Sequence, residues 1–277
     1  MKHSNAKNNV LILGSSGLLG SALVNTAPRN TRLFLAYRKN KLRQKKYPSL
    51  RIDLGNIFTL KKTMKIVKPA LVIHASRIEP YENNPKQAKK LIASLIQSMK
   101  PYRAKIVYIS TEAVFDGKRG NYSENDMPQP ITLYGRAKHE AEKVIQKQTG
   151  NYMIIRTSYI YGKKRNGLDE RTKKLFDEIK KNGVAFRFQD IYRSPINAQD
   201  LAQAIWKLVR VDFQGIIHIA NKRQSIFQFS KMLVQRAGYK KGYVKPNLLK
   251  NSLLRIPRDT SLNTALAKKI IQFVSKE

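Results

Sequence analysis

Three glycines set three residues apart, Gly14, Gly17 and Gly20, stand directly between a short apolar run, Val10 to Leu13, and a helical pattern from Ser16 to Val24. No other feature restricts the architecture as strongly. Glycine permits the tight turn by which a strand enters a helix, and it lets the backbone approach a ligand closely. The helix start adds unpaired N–H groups and the positive end of its dipole, so strand, turn and helix together make a seat for a pyrophosphate. Gly14, Ser16, Gly17, Leu18, Leu19 and Gly20 are the expected contacts. With the basic stretch Met1 to Asn9 before it, the apolar segment imitates a secretory signal, but its glycines fit the phosphate turn better.

Downstream, apolar runs alternate with amphipathic helices. Strands are expected at Arg32 to Tyr37, Ala70 to Ala75, Lys105 to Ser110 and Tyr152 to Arg156, with helices around Leu60 to Val67, Lys86 to Met99 and Tyr134 to Gln148. This alternation predicts an α/β Rossmann-type fold, a doubly wound parallel sheet covered on both faces. Residues 9–162 form the expected dinucleotide-binding domain, completed by about 197–222, where a helix at Ala198 to Val209 precedes a strand at Gly215 to Ala220. Beyond Gly162 the pattern turns irregular, with a basic helix near Glu170 to Lys181 and a strand near Val184 to Phe188. Residues 163–196 and 223–277 are therefore expected to build a small C-terminal substrate lobe.

The chain of 277 residues, 42% of them hydrophobic, can bury a sizeable core, and no apolar run approaches the ~20 residues that span a bilayer. A membrane role is not expected. Cysteine is absent, which removes disulfides, thiolate metal sites and thiol nucleophiles together and suits a cytoplasmic protein. No Asp, Glu or His group has metal-ligand spacing, so no protein-bound metal is expected. Lys and Arg number 54 against 18 Asp and Glu, a formal net charge of +36 that favours anionic partners. The cations are spread along the chain and form no tail or aromatic-interleaved stripe, so nucleic-acid binding is not expected as the main role. Dinucleotides and sugar nucleotides are anions as well. A homodimer is allowed, but not required, by the sequence.

The residues after the glycine turn bear on which dinucleotide is bound. An NAD site usually places Asp or Glu about 20 residues past the glycines, on the ribose 2′-OH. From Ser21 to Ile52 this chain has no acid, and the second strand ends in Tyr37-Arg38-Lys39, where the Arg38 guanidinium can pair with a 2′-phosphate. NADP(H) is favoured over NAD(H). Asp53, with Leu54 beside it, is placed to meet the adenine or else to cap the next helix. His74-Ala75-Ser76 ends a strand and is expected on the nicotinamide side, with His74 structural in role.

Tyr134 and Lys138 stand four residues apart in a helical pattern, so phenol and ammonium share one face. A free tyrosine has a pKa of about 10, and a nearby cation favours its phenolate, which suits a phenol that gives a proton to a ketone oxygen as hydride arrives at carbon. The strand Lys105 to Ser110 ends beside Thr111, and in parallel sheets such ends face the ligand crevice. A hydroxyl from Ser110 or Thr111 can steady the substrate oxygen there, or cap the next turn.

With these motifs the chain resembles the extended short-chain dehydrogenase/reductase family, and within it dTDP-4-dehydrorhamnose reductase and its relatives. The resemblance covers the glycine turn and Tyr108-Ile109-Ser110-Thr111-Glu112-Ala113-Val114-Phe115-Asp116-Gly117. It continues through Tyr122 to Asp126, Pro128, Pro130, Tyr134, Lys138, Glu142, Arg156 to Ser158, Tyr161-Gly162 and Arg255 to Leu262. It implies that Thr111, Tyr134 and Lys138 are catalytic, that Val114, Phe115 and Asp116 bind substrate, and that NADPH delivers hydride to C4 of a 4-keto-6-deoxy sugar nucleotide. Tyr134 and Lys138 would also contact the cofactor, Lys138 at the nicotinamide ribose. The chain departs from the family at Glu112 and Ala113, where Asp and Tyr are common, and at Tyr159, where Trp is common. Ala113 removes the second carboxylate that related dehydratases use for elimination. The asparagine that many relatives carry on the helix Lys86 to Met99 is missing. Two rivals remain. One is a non-catalytic regulatory subunit like methionine adenosyltransferase β; the other is an epimerase, which usually wants the absent ribose acid.

Overall fold

The computed structural model describes residues 9–42, 44, 46–77, 83–164, 167–251 and 256–274. Most of the basic N-terminal stretch, and Arg255 of the last family-like segment, lie outside them. The first half runs β1 (Asn9–Leu13), α1 (Leu18–Asn25), β2 (Arg32–Tyr37), β3 (Ser49–Arg51), α2 (Ile57–Val67), β4 (Leu71–His74), α3 (Pro85–Met99), β5 (Lys105–Thr111), α4 (Leu133–Gln148) and β6 (Tyr152–Thr157). Short strands β7 (Ile160–Tyr161), β8 (Lys163–Lys164) and β9 (Gly167–Leu168) lead into α5 (Glu170–Asn182) and β10 (Ala185–Phe188). β11 (Tyr192–Arg193), β12 (Ile196–Asn197), α6 (Ala198–Arg210), β13 (Gly215–His218) and β14 (Gln224–Ser225) follow. Then come α7 (Ile226–Arg236), β15 (Val244–Asn247) and α8 (Ala265–Ile271).

Seven strands form one sheet in the order β13, β6, β5, β4, β1, β2, β3, and every neighbouring pair is parallel. This is the Rossmann-like α/β arrangement predicted by the alternation. Chain order reverses between β1 and β4, so a crevice opens at their carboxyl ends, where such sheets bind ligands.

Alternation along each strand feeds two separate cores. Val10, Ile12, Leu33 and Leu35 face α1, α6 and α8, whereas Leu11, Leu13, Phe34 and Ala36 face α2, α3 and α4. Trp206 on α6 donates its indole N–H to the Leu23 carbonyl at 3.0 Å, tying α6 to α1. Capping fixes where the helices begin: Asn56, Asn84, Thr132, Asp169 and Asn197 each accept backbone N–H groups with their side chains. A third cluster, Leu175, Ile179, Ala185, Val234 and Val244, lies among α5, α7, β10 and β15. The sequence pattern did not reveal α7, although Ser225 and Gln228 close a capping box at its start. No helix among the described residues is long and apolar enough to cross a membrane.

Candidate active site

The glycine turn is built by contacts that exclude side chains. Gly14 adopts φ +79°, and a Cβ there would lie 2.5 Å from the Ser76 Cα, so the loops after β1 and β4 meet at the crevice. A Cβ on Gly20 would lie 2.1 Å from the Gly14 carbonyl oxygen, and without one α1 packs directly on the turn. Gly14 and Ser15 N–H groups both donate to the Ala36 carbonyl at 3.1 Å, locking the turn to β2. Gly17 begins α1 with no side-chain capping bond. The helix start therefore faces the crevice with its N–H groups available to an anion. Ser16 and Leu18 are half-buried beside this turn, whereas Leu19 is part of the core under it.

The neighbouring strand ends carry the other expected cofactor contacts. Arg38 is exposed past β2, and its carbonyl accepts the Arg51 Nε at 3.3 Å. Arg51 was not singled out by the sequence; the register of β2 on β3, which pairs Tyr37 with Arg51, brings it there. Asp53 does not cap α2, as one sequence reading allowed. Asn56 does, and Asp53 instead accepts the Gly55 N–H at 2.9 Å in its own turn. Leu54 packs partly into the core. Ala75 donates to the Leu13 carbonyl at 3.0 Å, and the buried Ser76 hydroxyl has no partner among the described residues.

His74 is fully buried and its two ring nitrogens have no hydrogen-bond partner among the described residues. Burial, aided by the Lys138 charge, lowers its pKa to about 3, so the ring is neutral. It meets Tyr108 edge-on at 5.4 Å between centroids, and the Lys138 ammonium sits 4.9 Å from the centre of that same Tyr108 ring. Lys138 Nζ donates to the Ile109 carbonyl at 3.0 Å, which pins α4 to β5 two residues before Thr111. Tyr134 lies half-buried in the first turn of α4, one turn before the lysine. Glu142, one turn after it, is fully buried and takes a double hydrogen bond from Arg156 on β6, whose Nη2 stands at 2.8 Å. Ser110 gives its hydroxyl proton to the same carboxylate. It is thus committed to the scaffold, and Thr111 is left as the hydroxyl at the strand end.

Thr111 accepts the Ala113 N–H at 3.2 Å and donates to Glu112 Oε2 at 3.0 Å, capping the single turn Glu112–Val114. Gly135 of α4 packs on that turn so closely that a Cβ would stand 2.0 Å from the Ala113 carbonyl oxygen. This contact fixes the start of α4, which carries Tyr134, against the turn that follows Thr111. The substrate contacts expected at Val114 and Phe115 are not offered by their side chains: both are fully buried with Tyr122, Ala220 and Leu262. Phe115 stacks on Tyr122 at 4.3 Å, and Asp116 accepts the Tyr122 hydroxyl.

A cavity of about 300 Å³ opens at Glu112. Its walls include Glu112, Tyr159, Arg171, Lys174, Arg193 and Phe229. Glu112 belongs both to the turn that Thr111 caps and to the cavity. Burial pushes its pKa up, against the opposing pull of Arg193, whose Nε lies 3.9 Å from Oε1. The Arg193 guanidinium is itself fixed by the Tyr192, Pro257 and Arg258 carbonyls. Arg193, Arg171 and Lys174 carry no mark in the sequence, because basic residues are spread throughout this chain and only the fold gathers these three. Among the described residues no three His, Asp or Glu side chains are grouped to hold a metal ion.

The chain is similar to several known proteins. The spore coat polysaccharide biosynthesis protein SpsK of Bacillus subtilis is 28% identical over 240 residues, covering 83% of this chain and 79% of its own. The methionine adenosyltransferase 2 subunit beta of Danio rerio is 24% identical over 226 residues, 78% of this chain and 69% of its own. A crystal structure described as a hypothetical dTDP-4-dehydrorhamnose reductase from Sulfolobus tokodaii superposes with a TM-score of 0.82 at 28% identity, covering 97% of each chain. Residues 8–277 match the RmlD substrate binding domain. With nearly its whole length matched and the parallel sheet order described above, the chain belongs to the RmlD substrate binding domain family of the extended short-chain dehydrogenase/reductase superfamily.

Proposed function

We propose that this protein uses NADPH to reduce the C4 keto group of a nucleotide-linked deoxysugar. One observation carries the reading. Tyr134 and Lys138 lie one turn apart on a helix whose lysine is pinned to the Ile109 carbonyl, beside Thr111 at the carboxyl end of β5.

The residues present fit a dinucleotide: a turn closed to side chains at Gly14 and Gly20, an uncapped helix start and the partnerless Ser76 hydroxyl. Arg38 and Arg51 would hold the 2′-phosphate, Asp53 and Leu54 the adenine, and Lys138 the nicotinamide ribose, with His74, Ala75 and Ser76 on the nicotinamide side. When bound, NADPH supplies the hydride. Tyr134 gives its phenolic proton to the substrate oxygen, and the Lys138 charge favours the phenolate left behind. Thr111 hydrogen-bonds that same oxygen. Arg171 and Lys174, exposed at the cavity rim, fit the diphosphate of the nucleotide. Ala113, in place of a second carboxylate, speaks against elimination chemistry.

The test is NADPH consumption with a 4-keto-6-deoxy sugar nucleotide. Tyr134→Phe should lower turnover by at least roughly 10²-fold while NADPH still binds; unchanged turnover would remove the proposed acid. The likeness to methionine adenosyltransferase β supports a second reading, a binding subunit without turnover. That reading wins if no sugar nucleotide is reduced and a partner protein co-purifies.

A further inference from the structure

α2 and α3 lie side by side on one face of the sheet, where their buried sides share a core through Leu60, Met64, Leu91 and Leu95. Their outer positions are taken by lysines: Lys61, Lys62 and Lys65 on α2, and Lys86, Lys89 and Lys90 on α3, all exposed. Neither helix carries an acid. Lys68 and Lys100 follow directly as the C-caps, and the Glu79 and Glu82 that lie between the helices in sequence fall outside the described residues. Two large apolar side chains stand among these cations in water. Phe58 is 80% exposed and Ile66 55%. The helical repeat puts Phe58, Lys62 and Lys65 opposite the buried stripe of Leu60, Met64 and Val67, so the ring adds nothing to the core.

From this juxtaposition we propose that the α2–α3 face docks on an anionic lipid surface. Lysine clusters are drawn to the negative potential of such a leaflet, and apolar side chains set among them enter the boundary between headgroups and acyl chains. Lys61, Lys62, Lys65, Lys86 and Lys90 meet lipid phosphates, while Phe58 and Ile66 insert. No spanning helix is needed for this. Two other occupants fit the face less well. A second copy of the chain would set lysine against lysine. A nucleic-acid strand would find one aromatic ring on the two helices, Phe58, and so no series of rings on which successive bases stack. The cavity at Glu112 is lined by no residue of α2 or α3, so docking does not cover its lining.

The experiment sediments the full chain with vesicles of phosphatidylcholine, alone or mixed with phosphatidylglycerol. The mixed vesicles should bind at least roughly 100-fold more tightly, and raised salt should weaken that binding. Combining Lys62→Gln, Lys65→Gln and Lys86→Gln should cost roughly 100-fold, since each lysine near the surface is worth about 5-fold. Lys207→Gln, Lys268→Gln and Lys269→Gln remove as much charge from α6 and α8, on the other face of the sheet, and should change binding by less than about 3-fold. An equal loss would mean that net charge alone attracts the vesicles, and it overturns the proposal. Phe58→Ser should cost roughly 10-fold on mixed vesicles and leave any affinity for single-stranded DNA unchanged, because only a bilayer takes up the ring. In Phe58→Trp the emission should move to the blue on mixed vesicles, above the constant signal of the buried Trp206. All these substituted positions are exposed, so the variants keep the fold. Vesicle binding that ignores both Phe58 substitutions would mark a surface for polyanions in general and overturn the lipid assignment, and so would the absence of any preference for phosphatidylglycerol.

Discussion

Alanine at position 135 should cost activity far out of proportion to stability. A Cβ on Gly135 would stand 2.0 Å from the Ala113 carbonyl oxygen, 2.9 Å from its carbon and 3.0 Å from Pro130 Cβ. Two of these are backbone atoms that cannot rotate away. Ordinary contact begins at 3.4 Å, so the start of α4 and the Glu112–Val114 turn must part by about 1.4 Å, the difference between 3.4 and 2.0 Å. Alanine returns about 1 kcal/mol of helix propensity, and overpacking costs roughly 1–3 kcal/mol, so the net loss of stability should stay within about 2 kcal/mol. The displacement, however, moves the start of α4, with Tyr134, away from the turn that follows Thr111, and misplacement by about 1 Å can cost roughly 10²-fold in rate. Gly135→Ala should therefore lower kcat about 100-fold in an NADPH-absorbance assay, shift urea unfolding slightly and leave the NADPH dissociation constant unchanged. Wild-type kcat in this variant would refute the claim that the glycine contact aligns phenol and hydroxyl.

Other consequences can be checked separately. Arg51→Ala should weaken NADPH binding by roughly 10-fold and leave NADH binding unchanged in fluorescence titrations, since the lost bond is to the 2′-phosphate alone; equal losses would show that Arg51 does not read it. Glu142→Gln strips a buried guanidinium of its counter-charge and should destabilise the protein by roughly 3–5 kcal/mol in urea, whereas a change under about 1 kcal/mol would mean the pair is no anchor. His74 and His218 are both buried, with pKa values lowered from 6.5 to about 3 by burial, aided by Lys138 and Arg156 respectively. Between those values the unfolded chain binds more protons than the folded one. Their stabilisation is therefore full above pH 6.5 and is lost progressively as pH falls from there towards 3. From pH 7.5 to 5.5 the unfolding free energy should drop by about 3 kcal/mol, and His218→Gln should roughly halve that slope; a flat profile would refute it.

The fold was legible because its strongest determinants are local. Glycines at 14, 17 and 20 mark the first turn, and full burial of β1 and β4 leaves both as uninterrupted apolar runs. Tyr134 and Lys138 were legible too, since four residues on a helix imply one face. What escaped depends on distant segments meeting. Arg51 reaches Arg38 through strand register, and Arg193 reaches Glu112 across the chain; neither carries a local mark among 54 basic residues. Val114 and Phe115 show the opposite case. They lie in a family-like segment next to Thr111, yet a stacked Tyr122 and a buried Leu262 turn them inward. Ser110 and Thr111 looked equivalent as neighbouring hydroxyls, and only the buried Glu142 separates them.

The five side chains Leu175, Ile179, Ala185, Val234 and Val244 form a much smaller apolar nucleus than either layer gripping the sheet. Local opening starts where little hydrophobic area resists it. On warming, α5 and α7 should therefore loosen well before the sheet melts, carrying Arg171, Lys174 and Phe229 away from the cavity. Amide exchange in those two helices would outpace exchange in β1 and β4, and grip on the nucleotide would fade while the dinucleotide turn still held its shape.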